Sequence, residues 1–276
     1  MLDSFDYKEP SCALCGGKEF YNPDKDAPVD TVPVRRIIEK ADGYYAKNDL
    51  NSAITLLEYW QNEANALNDK RGELSVTSEL IGAYRKSGQK DKGLAAVKRA
   101  LELTDVLGIR KDVSAATVIL NAATTLKAFG KAEEALPLYD EVFAVYSSNL
   151  SPEDKMFAGY YNNAALSLAD TGRYDKAEEC FYKAINILSK HDDGQVDAAI
   201  SYVNLAHLYE SSKENAQKEI TDCLFKAYAL LGDEKVKHDS YYAFVLTKCA
   251  PSFGHFGYAL IEKQMIKEAE DIYERA

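Results

Sequence analysis

Small apolar, bulky apolar and polar residues recur along most of the chain at spacings of three and four, the interval that stacks side chains on one flank of an α-helix. The segments SELIGAYRKSGQKDKGLAAVKRALEL, NAATTLKAFGKAEEALPLYDEVF and NNAALSLADTGRYDKAEECFYKAI align without gaps. Each predicts a first helix, a glycine turn and a second helix. The turn glycines Gly88, Gly130 and Gly172 are 42 residues apart. Five residues after each stands a small residue (Gly93, Ala135, Ala177), and four later a β-branched or aromatic one (Val97, Tyr139, Phe181). Upstream, Tyr44, Asn48, Ala53 and Leu57 set the same frame 40 residues earlier. Downstream, Leu205, Ala206 and Tyr209 open a fifth unit with a longer interhelix stretch, SSKENAQ. Gly257, Leu260, Ala269 and Tyr273 mark a sixth. About twelve helices are expected between Val34 and Ala276.

The pattern has a physical reason. Small residues such as Ala164, Ala165 and Ala177 let two antiparallel helices approach closely, and Leu168 and Phe181 fill the space that remains. The turn glycine supplies a left-handed backbone at the end of the first helix. One hairpin cannot bury its own apolar face, so neighbouring hairpins must stack on it. Glycine, then alanine, then an aromatic at these offsets resembles the tetratricopeptide repeat. The period, longer than the usual ~34 residues, is similar to the variant of kinesin light chains and bacterial peptide-sensing regulators. The resemblance implies an all-α fold, a right-handed α-α superhelix (solenoid) of about six helix pairs. A short irregular Cys-containing head, residues 1–33, would precede the solenoid at 34–276. It also implies a non-enzymatic scaffold that binds a protein or an extended peptide on a concave face lined by the first helices.

In the fourth unit Ala164, Ala165 and Leu168 face the second helix, so Gly159, Asn162, Asn163, Leu166 and Asp170 form the opposite stripe. Asn163 lies nine residues before Gly172, and the positions counted as equivalent are Glu39, Glu79, Asn121, Asn204 and His255. Three successive units thus carry an asparagine: Asn121, Asn163 and Asn204. A carboxamide offers donor and acceptor side by side and can bond both groups of a peptide unit. In the proteins resembled, asparagines here clamp ligand backbones, which makes these three candidate ligand contacts, with Asn162, His207 and Thr124 beside them. Tyr258 lines the last unit. The same carboxamides could instead bond neighbouring helices and fix repeat packing. Glu39, Asp42 and Glu79, offset by Arg35 and Lys86, make the first two units acidic, which would either steer a ligand with a basic end or form a solvated surface.

Composition narrows the partners. The 276 residues carry 33 basic and 44 acidic side chains, a net charge of −11. That balance argues against phosphate-backbone binding, so no nucleic acid is expected. Met1 to Pro10 lacks the basic and apolar runs of a secretory leader, and no charge-free stretch of ~18 residues predicts a membrane span. Tyr241 to Ile261, the nearest approach, reads as a packed helix pair broken at Pro251. Five cysteines, an odd number, predict no disulfide framework and a reducing cytoplasm.

Cys12-Ala-Leu-Cys15-Gly16-Gly17 looks like one knuckle of a zinc ribbon, but tetrahedral zinc needs four ligands and no second such pair follows. Cys249 and His255 would complete a site only if the superhelix returned to the head. No other cofactor is expected. Cys12 and Cys15 therefore read as zinc ligands with remote partners, a redox pair, or a metal-free cap. Cys180 and Cys223 read as small core residues of second helices. No phosphate-binding loop, His-Glu-x-x-His or Gly-x-Ser-x-Gly motif is present, and Glu133-Glu134 and Glu178-Glu179 suit helix starts. The last helix ends at Ala276 without a polar capping helix, which favours a homodimer.

Overall fold

The computed structural model describes residues 31–275; Cys12, Cys15 and most of the expected head lie outside them. Twelve α-helices run through the described residues, with no strand among them. They fall into two compact units, residues 31–150 and 151–275. The first holds α1 (Val34–Tyr45), α2 (Leu50–Ala66), α3 (Lys70–Lys86), α4 (Lys90–Val106), α5 (Val113–Ala128) and α6 (Ala132–Asn149). The second holds α7 (Lys155–Asp170), α8 (Tyr174–Leu188), α9 (Gln195–Ser212), α10 (Gln217–Leu231), α11 (Ser240–His255) and α12 (Ala259–Tyr273). Each unit is three consecutive hairpins, in which odd-numbered helices are the first members and even-numbered helices the second.

The hairpin turns explain the frame. Each carries one left-handed residue: Asn48 (φ 54°), Gly88 (69°), Gly130 (81°), Gly172 (75°), Asn215 (59°) and Gly257 (92°). Asparagine tolerates this region better than other side chains because it can bond its local backbone, so it replaces glycine twice. The amide after the left-handed residue then reaches back over the last helical turn, as from Arg173 N to Leu168 O (2.8 Å) and Tyr258 N to Phe253 O (2.7 Å). Asp69 restarts the chain by accepting from Gly72 N (2.9 Å), and Asp239 by accepting from Tyr241 N and Tyr242 N.

The small and large positions pack as their sizes require. Ala135 and Ala177 are fully buried, and Val97, Tyr139 and Phe181 are nearly so. Gly93 lies against the Phe129 ring; a Cβ there would come 2.6 Å from Phe129 Cε2. First helices are covered on several sides. In the first unit α3 touches α1, α2, α4 and α5, and in the second α9 touches α7, α8, α10 and α11. Hence every residue of α5 from Ser114 to Lys127 is buried, polar ones included.

Two expectations change. Pro251 does not break a helix pair: α11 runs through it to His255, and the break falls at the left-handed Gly257. Proline lacks the amide, so the helix forgoes the one bond it would have given to the Thr247 carbonyl and still continues four residues beyond Pro251. The position nine residues before Gly257 is consequently Lys248, so His255 stands in the last turn of α11 and is not the sixth equivalent of Asn163. Among the described residues no helix is long and apolar enough to cross a membrane.

Candidate functional site

The asparagines lie on first helices and are sheltered. Asn121 on α5 is 6% exposed, and Asn162, Asn163 and Asn204 are no more than 3% exposed. Asn163 Nδ2 donates to Gly159 O one turn back on α7 (3.0 Å). Asn204 Nδ2 reaches Asn162 Oδ1 (3.4 Å), joining α9 to α7 through residues 42 apart. This bond pairs Asn204 with Asn162. Three carboxamide atoms remain buried without a hydrogen-bond partner: Asn121 Oδ1, Asn162 Nδ2 and Asn163 Oδ1. An unmet buried polar atom costs about 1–3 kcal/mol, so each has something to gain from a water or a ligand group.

Thr124, also buried, turns its hydroxyl to Leu120 O (2.9 Å) and stands 3.5 Å from the Tyr139 hydroxyl. It serves the α5–α6 hairpin. On the neighbouring first helix the Arg85 guanidinium donates to Thr125 Oγ1 at 2.9 Å, tying α3 to α5. The acidic residues of the first unit are partly occupied: Glu39 pairs with Arg35 at 2.9 Å on the exposed side of α1.

A second group of side chains sits at the ends of α9 and α11. His207 and Glu210 are one turn apart on α9, and His255 closes α11. His255 Nε2 is 2.7 Å from Glu210 Oε1, and His207 Nδ1 is 3.5 Å from Glu210 Oε2. The other nitrogen of His207, Nε2, is 2.7 Å from Ser252 Oγ. Phe256 packs against both imidazoles, with ring centres 5.0 Å from His207 and 4.8 Å from His255. Burial pushes the His207 pKa below its ordinary value; Glu210 opposes the shift and His255 adds to it. Neutral imidazole is thus the favoured form near pH 7. Sequence reasoning singled out His207 and His255 but not Glu210. Glu210 lies one turn further along α9, a signal that was readable, but its meeting with His255 depends on hairpin stacking across 45 residues.

The three described cysteines are free. Cys223 and Cys249 are buried in second and first helices, and burial alone pushes the Cys249 thiol up to about 12. Cys249 is fully enclosed and unavailable to a metal arriving from the surface. Glu178 is structural: it accepts from the Tyr209 hydroxyl (2.7 Å), which also meets the Tyr182 hydroxyl (2.8 Å). Glu179 pairs with Lys183 along α8.

Family models described as tetratricopeptide repeat match residues 115–154 and 156–218. No curated protein matches the chain. Among solved structures, a putative kinesin light chain of Podosopora anserina with nearly identical TPR-like repeats is 20% identical, covers 71% of this chain and 94% of its own, and has a TM-score of 0.56. PilW, a type IV pilus biogenesis factor, is 12% identical over 90% of this chain and 96% of its own, at 0.55. A Rap protein complexed with competence and sporulation factor is 15% identical over 90% of this chain and 67% of its own, at 0.61. These likenesses show a shared all-α repeat fold. Turn register and hairpin packing thus extend along the described residues an all-α array of helix pairs whose middle, residues 115–154 and 156–218, matches the tetratricopeptide repeat.

Proposed function

We propose that the chain is a non-enzymatic binding protein that takes up an extended peptide or a segment of a partner protein against its first helices. The observation that carries this reading is the set of unpartnered carboxamide atoms on α5 and α7. Asn121 Oδ1 and Asn163 Oδ1 would accept from backbone N–H groups, and Asn162 Nδ2 would donate to a backbone carbonyl. Such contacts hold main chain without reading side chains. His207 and Thr124 would add contacts one turn on, although Thr124 already bonds within its own helix. The excess of acids suits a ligand with basic groups and disfavours nucleic acid. A reducing cytoplasmic setting and a homodimer complete the proposal; light scattering of the purified protein checks the second.

The test begins with a crosslinking pull-down from native cytosol, which yields a peptide to synthesise. Asn121, Asn163 and Asn204 changed together to Ala should abolish its binding while circular dichroism keeps the helical content. Unchanged affinity would show that the carboxamides only fix repeat packing. The Rap protein, whose structure holds competence and sporulation factor, favours one narrower version: a regulator that senses a small peptide. Specific recovery of operator DNA with the chain would support that version over a plain scaffold.

A further inference from the structure

We propose that His207, Glu210 and His255 form a binding site for a first-row divalent metal ion of the zinc class, bridging α9 to α11. One donor atom from each residue lies within 4.8 Å of the other two. Tetrahedral zinc, with bonds of about 2.0–2.1 Å, holds its donors roughly 3.3 Å apart. The two separations to the Glu210 carboxylate, 2.7 Å from His255 Nε2 to Oε1 and 3.5 Å from His207 Nδ1 to Oε2, fall on either side of that figure. Side-chain shifts below ~1 Å would therefore close the three donors around an ion.

The donor set and its surroundings agree. Two imidazoles and one carboxylate suit zinc and its first-row neighbours, whereas calcium and magnesium call for oxygen donors. The His207 Nε2–Ser252 Oγ contact at 2.7 Å orients the ring: with the proton on Nε2, the Nδ1 lone pair faces Glu210. Ser252 is itself buried, and the Phe256 ring restrains both imidazoles from one side. The site is nevertheless open to solvent, since the Glu210 and His255 side chains are 39% and 36% exposed. Three protein donors leave a fourth position for water or for a side chain of a bound partner. In the metal-free protein His255 Nε2 lies within hydrogen-bond distance of Glu210 Oε1, and a bound ion would replace that contact.

Titration of zinc chloride into the full chain tests this, on a Cys12→Ser/Cys15→Ser background so that the head thiols do not contribute. Calorimetry at about pH 7.5 should give one ion per chain, and cobalt(II) should bind with the d–d absorption of a nitrogen- and oxygen-ligated ion. His255→Ala and Glu210→Gln should each weaken zinc by at least ~10-fold, and Ser252→Ala by ~10-fold through loss of ring orientation. Circular dichroism should stay unchanged, because His255 and Glu210 reach the surface. No saturable binding up to about 100 μM zinc, or binding indifferent to His255→Ala and Glu210→Gln, would reduce the cluster to a hydrogen-bonded pair. The asparagine reading is independent: the triple Asn→Ala protein should still bind zinc.

Discussion

The Tyr241 hydroxyl donates to Asp197 Oδ1 at 2.6 Å, joining α11 to α9. Asp197 is 1% exposed, and its second oxygen is 3.7 Å from Lys155 Nζ on α7. A single buried carboxylate thus links the first helices of three successive hairpins in the unit of residues 151–275. A hydrogen bond to a charged group contributes about 1.5–3 kcal/mol, so Tyr241→Phe should cost ~1.5 kcal/mol. Asp197→Ala should cost ~2 kcal/mol, because it removes the Lys155 contact as well, although Lys155 keeps Asp193 Oδ2 at 2.9 Å. Urea unfolding measures both; a Tyr241→Phe change below ~0.3 kcal/mol would show that the contact adds nothing net.

The hairpin frame was legible because it is local. A left-handed turn, a small residue and a bulky one follow at fixed offsets, so Gly172, Ala177 and Phe181 announce their own packing. Asn48 and Asn215 show why glycine counting alone loses the frame in the first and fifth units: a different residue meets the same backbone need. The relations between hairpins were harder. Asn204, counted as the equivalent of Asn163, bonds Asn162, a meeting between α9 and α7 that no offset within one hairpin encodes. His255, counted as an equivalent of Asn163, lies only two residues before the turn at Gly257. Long-range polar meetings such as Tyr241 with Asp197, 44 residues apart, leave no periodic trace in the chain.

The turn glycines should respond to substitution in a graded way. Gly172 has a φ of 75° and open space where a Cβ would go, so only backbone strain opposes alanine. Gly172→Ala should cost ~1 kcal/mol, and Gly172→Asn less, since Asn48 and Asn215 already occupy equivalent turns. Gly194→Ala should cost more despite its ordinary φ, because its Cβ would run into the Leu188 carbonyl oxygen. Thermal denaturation of the three variants gives the order; equal effects of Ala and Asn at Gly172 would remove the strain argument.

Glu73 gives the fold an acid-sensitive element. Its side chain is 4% exposed, Arg99 grips it at 2.6 Å and 3.0 Å, and Lys70 stands at 3.3 Å. Burial pushes the Glu73 carboxyl upward, but the Arg99 and Lys70 contacts outweigh it and hold the carboxyl below its ordinary 4.5. A carboxylate depressed by folding contributes its full stability above the unfolded value. That contribution is lost as pH falls below 4.5 and through the lowered folded value. Glu73→Gln should therefore cost ~2 kcal/mol at neutral pH, limited by the 36% exposure of Arg99, and little once the native carboxyl is protonated. Urea midpoints at pH 7 and below pH 4 test this; a difference independent of pH would assign the effect to packing.

The cysteines should separate by depth when the native protein is alkylated. Cys180 is part-exposed on α8, with its thiol raised by burial, while Cys223 is pushed up to about 11 and Cys249 to about 12. Only the thiolate attacks iodoacetamide, and at about pH 8 a thiol of pKa near 12 supplies a vanishing fraction of it even where reagent can reach. Cys249 is also enclosed on α11 among the core of the second unit, so its labelling requires that the helix leave its neighbours. Peptide mass spectrometry should find Cys180 modified first, Cys223 later and Cys249 only as the unit unfolds, with all three equal in urea. Cys249 labelled in native protein as fast as in urea would mean that α11 detaches freely, and the link from Tyr241 to Asp197 would then hold nothing in place.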